Sequence, residues 1–163
     1  MKGLFAAVVE EQVTYVNAPH LAADRGVETA LVTNPETVDH PLLVSLRGAL
    51  PDGRVVTVAG TYLSGPRESL RLTGLDDFEL ELELDRVLLF FRYADRPGVV
   101  GTIGTLLGEA GVNIAAMQVA RRAAGGEALM TLTVDEAVPA DLLAKAAEAI
   151  GASAAAAVDL TEE

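Results

Sequence analysis

The sequence predicts an α+β protein, and two patterns carry that prediction. Its first half alternates apolar and polar residues, as half-buried strands do, whereas its second half interleaves such strands with two stretches of helical spacing. Of the 163 residues, 50% are apolar but only 4% are aromatic. The core is therefore expected to consist of Ala, Val, Leu and Ile, in one medium domain or two small ones.

The first half is expected to start inside an element, because residues 2–9 resemble the tail of one with nothing before it. A short helix is predicted at 15–25, where Pro19 is tolerated in the first turn and Gly26 would end the helix. A strand at 27–32 is predicted to follow this helix.

A hairpin is predicted next, from 42–50 and 54–63, because the Asp-Gly pair at 52–53 favours a tight turn between two strands. In the segment 78–84, Phe and Leu alternate with glutamates. This period of two predicts a strand with one face on a core and the other in water.

The second half predicts six elements in the order βαββαβ. It opens with a strand at 87–93, a turn at 95–98 and a helix at 99–110 that Gly111 ends. The order is that of the ferredoxin-like split unit, in which both helices cover one face of a four-stranded antiparallel sheet. The later strands are predicted at 113–121, 127–134 and 153–160, and the second helix at 140–150.

Composition excludes several classes of function. A formal net charge of -12 repels phosphate backbones and anionic lipids, so we expect no nucleic-acid partner and no membrane partner. The absence of cysteine removes disulfides, thiolate nucleophiles and Cys-ligated metals. No apolar stretch reaches the length of a membrane span, and we expect a cytoplasmic protein.

The sequence offers little for catalysis or metal binding. It has no G-x-S-x-G elbow and no phosphate-binding G-x-x-x-x-G-K-[ST] loop. His20 and His40 lack a second histidine at helical spacing, so no metal site is expected. The acidic run at 76–85 is explained by the solvated face of a strand.

A glycine series at Gly98, Gly101, Gly104 and Gly108 superficially suggests a dinucleotide site. Its spacing is wrong for that fingerprint, which needs two glycines separated by one residue. The series instead follows one helical face, and we expect it to let the helix lie close to the sheet or to a partner helix.

The loops of the second half hold the best candidates for a binding site. Asp95 precedes a helix whose first N–H groups can receive a carboxylate, while Asp95 itself can receive an ammonium, so this place suits a zwitterion. Asn113 offers a donor and an acceptor where the next strand begins. The alternative is that Asp95 only caps the helix and Asn113 only occupies a turn.

Several segments resemble a known family. The strings YADRPGVVG at 93–101, IGTLLG at 103–108 and GVNIA at 111–115 resemble the ACT domain that ends bacterial D-3-phosphoglycerate dehydrogenases. The strings VTYVNAP at 13–19 and VAGT at 58–61 are similar to the intervening domain of the long form of that enzyme. The resemblance spans nearly the whole chain.

This resemblance implies two domains, an intervening domain at 1–85 that is incomplete at its start and an ACT domain at 86–163. In the family, the catalytic residues and the NAD site lie in domains that precede this region. The resemblance therefore implies an oxidoreductase as the parent enzyme, but no catalytic residue and no cofactor in this chain.

The resemblance also implies a ligand and a partner. An ACT domain of this family pairs with that of another subunit and binds L-serine at the interface, as feedback inhibition of serine biosynthesis. The position of Asp95 would contact the ligand from one chain and that of Asn113 from the other. The residues implied in effector binding are Tyr93, Asp95, Pro97, Gly98, Asn113 and Ile114.

Other functions stay open at this point. The chain could be a pure dimerisation module, or a free-standing sensor of another amino acid, and a stand-alone enzyme is the least favoured. An anion site, which some long-form members have in the intervening domain, is expected to be weak or absent because the strand at 78–85 carries only acids. The remaining basic candidates are Arg47, Arg54, Arg67 and Arg71.

Overall fold

A computed structural model describes residues 2–6, 9, 11–27, 42–50, 53–64 and 68–161. The chain forms two compact units, residues 1–37 and residues 38–163. The predicted domain boundary between residues 85 and 86 falls inside the second unit and stays a prediction. Within the described ranges, no helix has both the length and the apolar character needed to cross a membrane.

The first unit contains two short helices, α1 (Lys2–Ala6) and α2 (Ala18–Asp24). Helix α2 begins three residues later than predicted, because Asn17 accepts a hydrogen bond from the Thr14 N–H at 2.7 Å and holds the preceding residues in a turn. Most of the strand predicted at 27–32 lies outside the described residues. Among the described residues of this unit, the buried side chains are Phe5, Val13, Ala18, Leu21 and Ala22.

The second unit begins with an antiparallel sheet, called sheet A here, of four strands in sequential order. The predicted hairpin and the predicted strand with alternating burial are confirmed, and Phe78, Leu80 and Leu82 are buried while the glutamates between them are exposed. The strands are β1 (Leu43–Ala49), β2 (Val55–Leu63), β3 (Ser69–Leu75) and β4 (Phe78–Glu83).

Strand β3 was not predicted from the sequence. Its pairing is irregular on both sides, with a register shift between Ala59 and Gly60 on β2 and another between Leu72 and Gly74 on β3 itself. At the first shift the strands approach so closely that a Cβ on Gly60 would lie 3.0 Å from the Arg71 carbonyl oxygen. Such bulges interrupt the period of two that reveals a strand in sequence.

The remaining elements form a second antiparallel sheet, called sheet B here, and two helices. The strand order β6-β7-β5-β8 is that of the ferredoxin-like unit, which confirms the fold class. All six elements lie within one or two residues of their predicted bounds. They are β5 (Val87–Ala94), α3 (Val99–Glu109), β6 (Ile114–Arg121), β7 (Glu127–Val134), α4 (Ala140–Ile150) and β8 (Ala154–Asp159).

The central strands of sheet B, β5 and β7, are buried on both faces. One face packs against α3 and α4 through fully buried side chains such as Phe91, Ile103 and Ile150. On the other face, Leu88 and Leu129 pack against the buried side chains of β4. The central strand β5 is therefore enclosed by helices on one side and by sheet A on the other.

Two ion pairs join sheet A to sheet B at the tip of the β3–β4 hairpin. Arg92 donates a hydrogen bond to Asp76, and Arg122 donates one to Asp77 at 2.6 Å. Both guanidinium groups also lie over the ring of Phe78, at 5.5 and 4.9 Å from its centroid. Contacts of a cation with the face of an aromatic ring are favourable, more so when the ring is removed from water.

The glycine series of α3 does not lie against sheet B, which corrects one of the two expectations for it. A Cβ placed on Gly101, Gly104 or Gly108 would meet nothing within 4 Å, because the buried face of α3 consists of Val99, Ile103 and Leu107. Contact with a helix of a partner chain stays a prediction.

We expect Gly104→Ala to stabilise the isolated chain by about 0.5–1 kcal/mol, because alanine restricts the unfolded chain and favours a helix interior. Urea unfolding of both forms measures this difference. Gly111→Ala is the matched control and should destabilise, since Gly111 has a φ of 79°. A Gly104→Ala variant that is less stable and less associated than the wild type would show that this face packs against another chain.

We expect Asp76→Asn to cost about 1–2 kcal/mol of unfolding free energy at neutral pH, because it leaves Arg92 without a charged partner. Asparagine tolerates the φ of 52° at this position, so the hairpin backbone is preserved. Asp77→Asn is the control, and its effect should be under about 0.5 kcal/mol because the side chain of Asp77 is 78% exposed.

The same pair predicts a pH dependence. Burial raises the pKa of Asp76, but hydrogen bonds from the Thr57 N–H and Arg92, with the charges of Arg92 and Arg122, outweigh it and hold the pKa below its ordinary value. A lowered carboxyl pKa stabilises the fold above about pH 4, and this stability is lost as pH falls through the folded-state pKa. Denaturant unfolding should show the wild type and Asp76→Asn converging below pH 4, and a constant difference would refute the assignment.

Candidate functional site

The site begins where β5 ends. The Asp95 N–H donates to the Gly126 carbonyl at 2.7 Å, which ties this residue to the loop between β6 and β7. The Asp95 carboxylate accepts hydrogen bonds from Arg121 Nη1 and from the Gly125 N–H, both at 3.4 Å. Asp95 is thus held by the neighbouring loop, and its side chain stays 18% exposed.

Asp95 does not cap α3, so that alternative for its role is wrong. Gly98 occupies the N-cap position, with a φ of 92° that L-residues rarely adopt, and no side chain hydrogen-bonds the first turn. The Gly98 carbonyl instead accepts the Thr102 N–H at 2.9 Å. Pro97 and Gly98 are exposed beside this helix end, whose first N–H groups have no intrahelical acceptor.

Tyr93 lies under the same loop and is only 2% exposed. Burial raises the pKa of Tyr93, the charge of Asp95 raises it further, and the charge of Arg121 lowers it. The phenol is therefore neutral at physiological pH.

Asn113 lies exposed immediately before β6, as predicted. Its Nδ2 donates to Asp135 Oδ2 at 2.6 Å, and Arg86 donates to the other oxygen of Asp135 at 2.8 Å. Asn113 therefore belongs to a polar cluster. Next to it, Ile114 is half-buried against the main core of sheet B.

The structure does not bring Asp95 and Asn113 together within one chain. Strands β5 and β6 are both antiparallel to β7, so they run in the same direction. Asp95 follows the end of β5, whereas Asn113 precedes the start of β6. The two candidates consequently lie at opposite ends of sheet B.

Arg121 is a residue of this site that the sequence analysis did not identify. It ends β6 and is 58% exposed, and its guanidinium lies against Asp95. Arg96, by contrast, turns away and donates to the Ile150 carbonyl at the end of α4, at 3.1 Å. Two consecutive arginines at 121–122 in a chain of net charge -12 were the available signal, but only the β5–β7–β6 pairing shows which loop Arg121 reaches.

A shallow cavity of about 300 Å³ lies at sheet A and is lined by Tyr62, Glu68, Ser69, Leu70, Glu83, Leu84 and Asp85. A hydrogen bond with Glu68, helped by desolvation, raises the pKa of Tyr62 in its wall. No cluster of three metal-ligating side chains occurs among the residues that the structure describes. Arg71 on β3 is one of the four basic candidates for an anion site. Its Nη1 lies 3.7 Å from Glu81 Oε2, so this candidate has an acidic neighbour.

Comparison with known protein families finds a match to the second half of the chain. The family model described as "ACT domain" matches residues 87–151. Over 161 residues, 99% of its length, the chain is 43% identical to D-3-phosphoglycerate dehydrogenases of Mycobacterium tuberculosis and Mycobacterium bovis. It is 33% identical over 151 residues, 93% of its length, to the D-3-phosphoglycerate dehydrogenase of Synechocystis sp..

The chain spans 30% of the length of the mycobacterial relatives and 27% of the Synechocystis one. The matched part is the C-terminal part of these proteins, as the resemblance in the sequence predicted. Residues 87–151 are an ACT domain, and the chain is the counterpart of the C-terminal region of D-3-phosphoglycerate dehydrogenases.

Proposed function

We propose that this chain is a regulatory and dimerisation module that binds L-serine where two ACT domains meet. In a full-length dehydrogenase such binding would inhibit serine biosynthesis by feedback. The proposal rests on the positions of Asp95 and Asn113, which lie at opposite ends of sheet B. A site that uses both residues therefore needs two chains.

Strand β6 supplies the means of bringing them together. It is an edge strand, so one side of its backbone is available for pairing with a further strand. Two β6 strands related by a two-fold axis would pair antiparallel, with the start of one opposite the end of the other. Asn113 of the partner subunit would then lie near Arg121, and so near Asp95.

The chemistry of the combined site suits a free amino acid. Asp95 can accept the ligand ammonium, and the exposed N-terminus of α3 offers N–H groups for its carboxylate. The amide of the partner's Asn113 can donate and accept at once, which matches a hydroxyl-bearing side chain such as that of serine. Tyr93 is buried two positions before Asp95, near the end of β5.

Two other functions use the same interface. A module that only dimerises would need β6 but neither Asp95 nor Asn113, and a sensor of a different amino acid would keep the ammonium site while changing the side-chain contacts. We favour serine because of the family of the relatives. The cytoplasmic location predicted from sequence is part of this proposal, as is the absence of catalysis by the chain itself.

We expect calorimetric titration of the purified chain to show saturable binding of L-serine, but not of L-valine or glycine at similar concentration. Asn113→Ala should lose this binding and stay dimeric in sedimentation analysis, because the pairing of β6 does not need its side chain. If the folded wild-type dimer shows no heat of binding with serine, a module that only dimerises would be favoured. Saturation by valine instead of serine would show a sensor of another amino acid.

A mixing experiment tests whether the site is shared between chains. Asp95→Asn and Asn113→Ala should each abolish binding alone, whereas their mixed dimer retains one site that is intact. If subunits exchange at random, half the dimers are mixed, so binding should return to about one quarter of the wild-type stoichiometry. A verified mixed dimer that recovers no binding would instead refute a site shared between chains.

A further inference from the structure

We infer that Arg121 is the residue that binds the ligand carboxylate and thereby restricts the site to amino acids with a free carboxyl group. This inference rests on the proposed amino-acid site and deepens it. The N-terminus of α3 was the only carboxylate-binding feature that the sequence suggested, and Arg121 is a second and stronger one.

The geometry of the Arg121–Asp95 pair is the first argument. Arg121 Nη1 lies 3.4 Å from Asp95 Oδ2, longer than the 2.7–2.9 Å of a well-formed charge-assisted hydrogen bond. A guanidinium carries five N–H donors, and most of this one faces solvent. Because the Arg121 side chain is 58% exposed, its long contact with Asp95 contributes little to stability, and a ligand can turn the guanidinium toward itself at little cost.

Charge complementarity is the second argument. An amino acid presents an ammonium and a carboxylate on one carbon, and the pair presents a carboxylate and a guanidinium side by side. A ligand between them replaces one loose contact with two charged hydrogen bonds, and the planar guanidinium can hold a carboxylate through two parallel N–H donors.

The position of the pair is the third argument. Asp95 also accepts a hydrogen bond from the Gly125 N–H, and it precedes Gly98, the N-cap of α3, by three positions, so the pair lies between the β6–β7 loop and the start of that helix. Arg121 also ends β6, the strand whose antiparallel pairing would place the partner's Asn113 next to it. Arg121 would therefore face the ligand from the chain that also supplies Asp95.

Arg121 could instead be a brace that only holds Asp95 and the β6–β7 loop in place. The two roles differ in what they predict for a ligand without a carboxylate charge. A brace affects every ligand of the site equally, whereas a carboxylate-binding residue affects only those that carry the charge.

The test compares L-serine with L-serinamide, in which the carboxylate is replaced by a neutral amide. Titration at about pH 6 keeps both ammonium groups protonated. We expect the wild type to bind serine at least about tenfold more tightly than serinamide. In Arg121→Gln, the affinity for serine should fall about tenfold or more, while the affinity for serinamide should stay within about twofold of that of the wild type.

Two further variants complete the experiment. Arg121→Lys keeps the charge without the planar donor pair and should restore part of the preference for serine; it also serves if Arg121→Gln fails to fold. Arg122→Gln is the matched control, because Arg122 pairs with Asp77 and Glu127 instead of Asp95. Arg122→Gln should retain the full preference for serine over serinamide.

The outcomes separate this inference from the proposed function. Unchanged serine binding in Arg121→Gln overturns the inference and leaves the function standing. Equal weakening of serine and serinamide also overturns it, in favour of the brace. If the wild type binds neither compound, the serine site and the role of Arg121 fall together.

Discussion

The burial of β5 on both faces is the constraint on which the rest of the structure depends. Leu89 and Phe91 face the helices, whereas Leu88 faces sheet A, and all three are at most 1% exposed. Complete removal of such side chains from water stabilises each by about 1.5–3 kcal/mol. Because Tyr93 lies on this strand and Asp95 directly follows it, the candidate site is built on the end of a strand that is fixed by packing on both faces.

The same strand ends connect the site with sheet A. Arg92 precedes Tyr93 on β5 and pairs with Asp76, while Arg122 follows Arg121 and pairs with Asp77. Neighbouring side chains along a strand point to opposite faces of the sheet. Arg121 therefore reaches Asp95, whereas Arg122 reaches the β3–β4 hairpin. A ligand that moves the end of β6 would therefore act on the contact between the two sheets.

Sequence predicted the parts of the fold with uninterrupted periodicity. The βαββαβ order was recovered with its bounds, because glycines end the helices and the strands alternate regularly, and the alternation in β4 identified its buried face. Strand β3 was missed since bulges break its period. Asp95 and Asn113 could be named from their loops, but their separation follows from strand pairing, and Arg121 could not be linked to Asp95 because the two are 26 positions apart in the sequence.

The net charge of -12 gives Arg121 its importance. A chain this acidic repels the carboxylate of an approaching amino acid, although at physiological salt that repulsion is screened beyond about 8 Å. Within that distance the local arrangement decides, and a ligand at Asp95 alone would place its own carboxylate beside another. A cation at this point removes the conflict, and the arginines of the neighbouring cluster, Arg92 and Arg122, are already engaged with Asp76 and Asp77. The ion pair at the end of β6 would therefore reconcile an acidic protein with the anionic group of the proposed ligand.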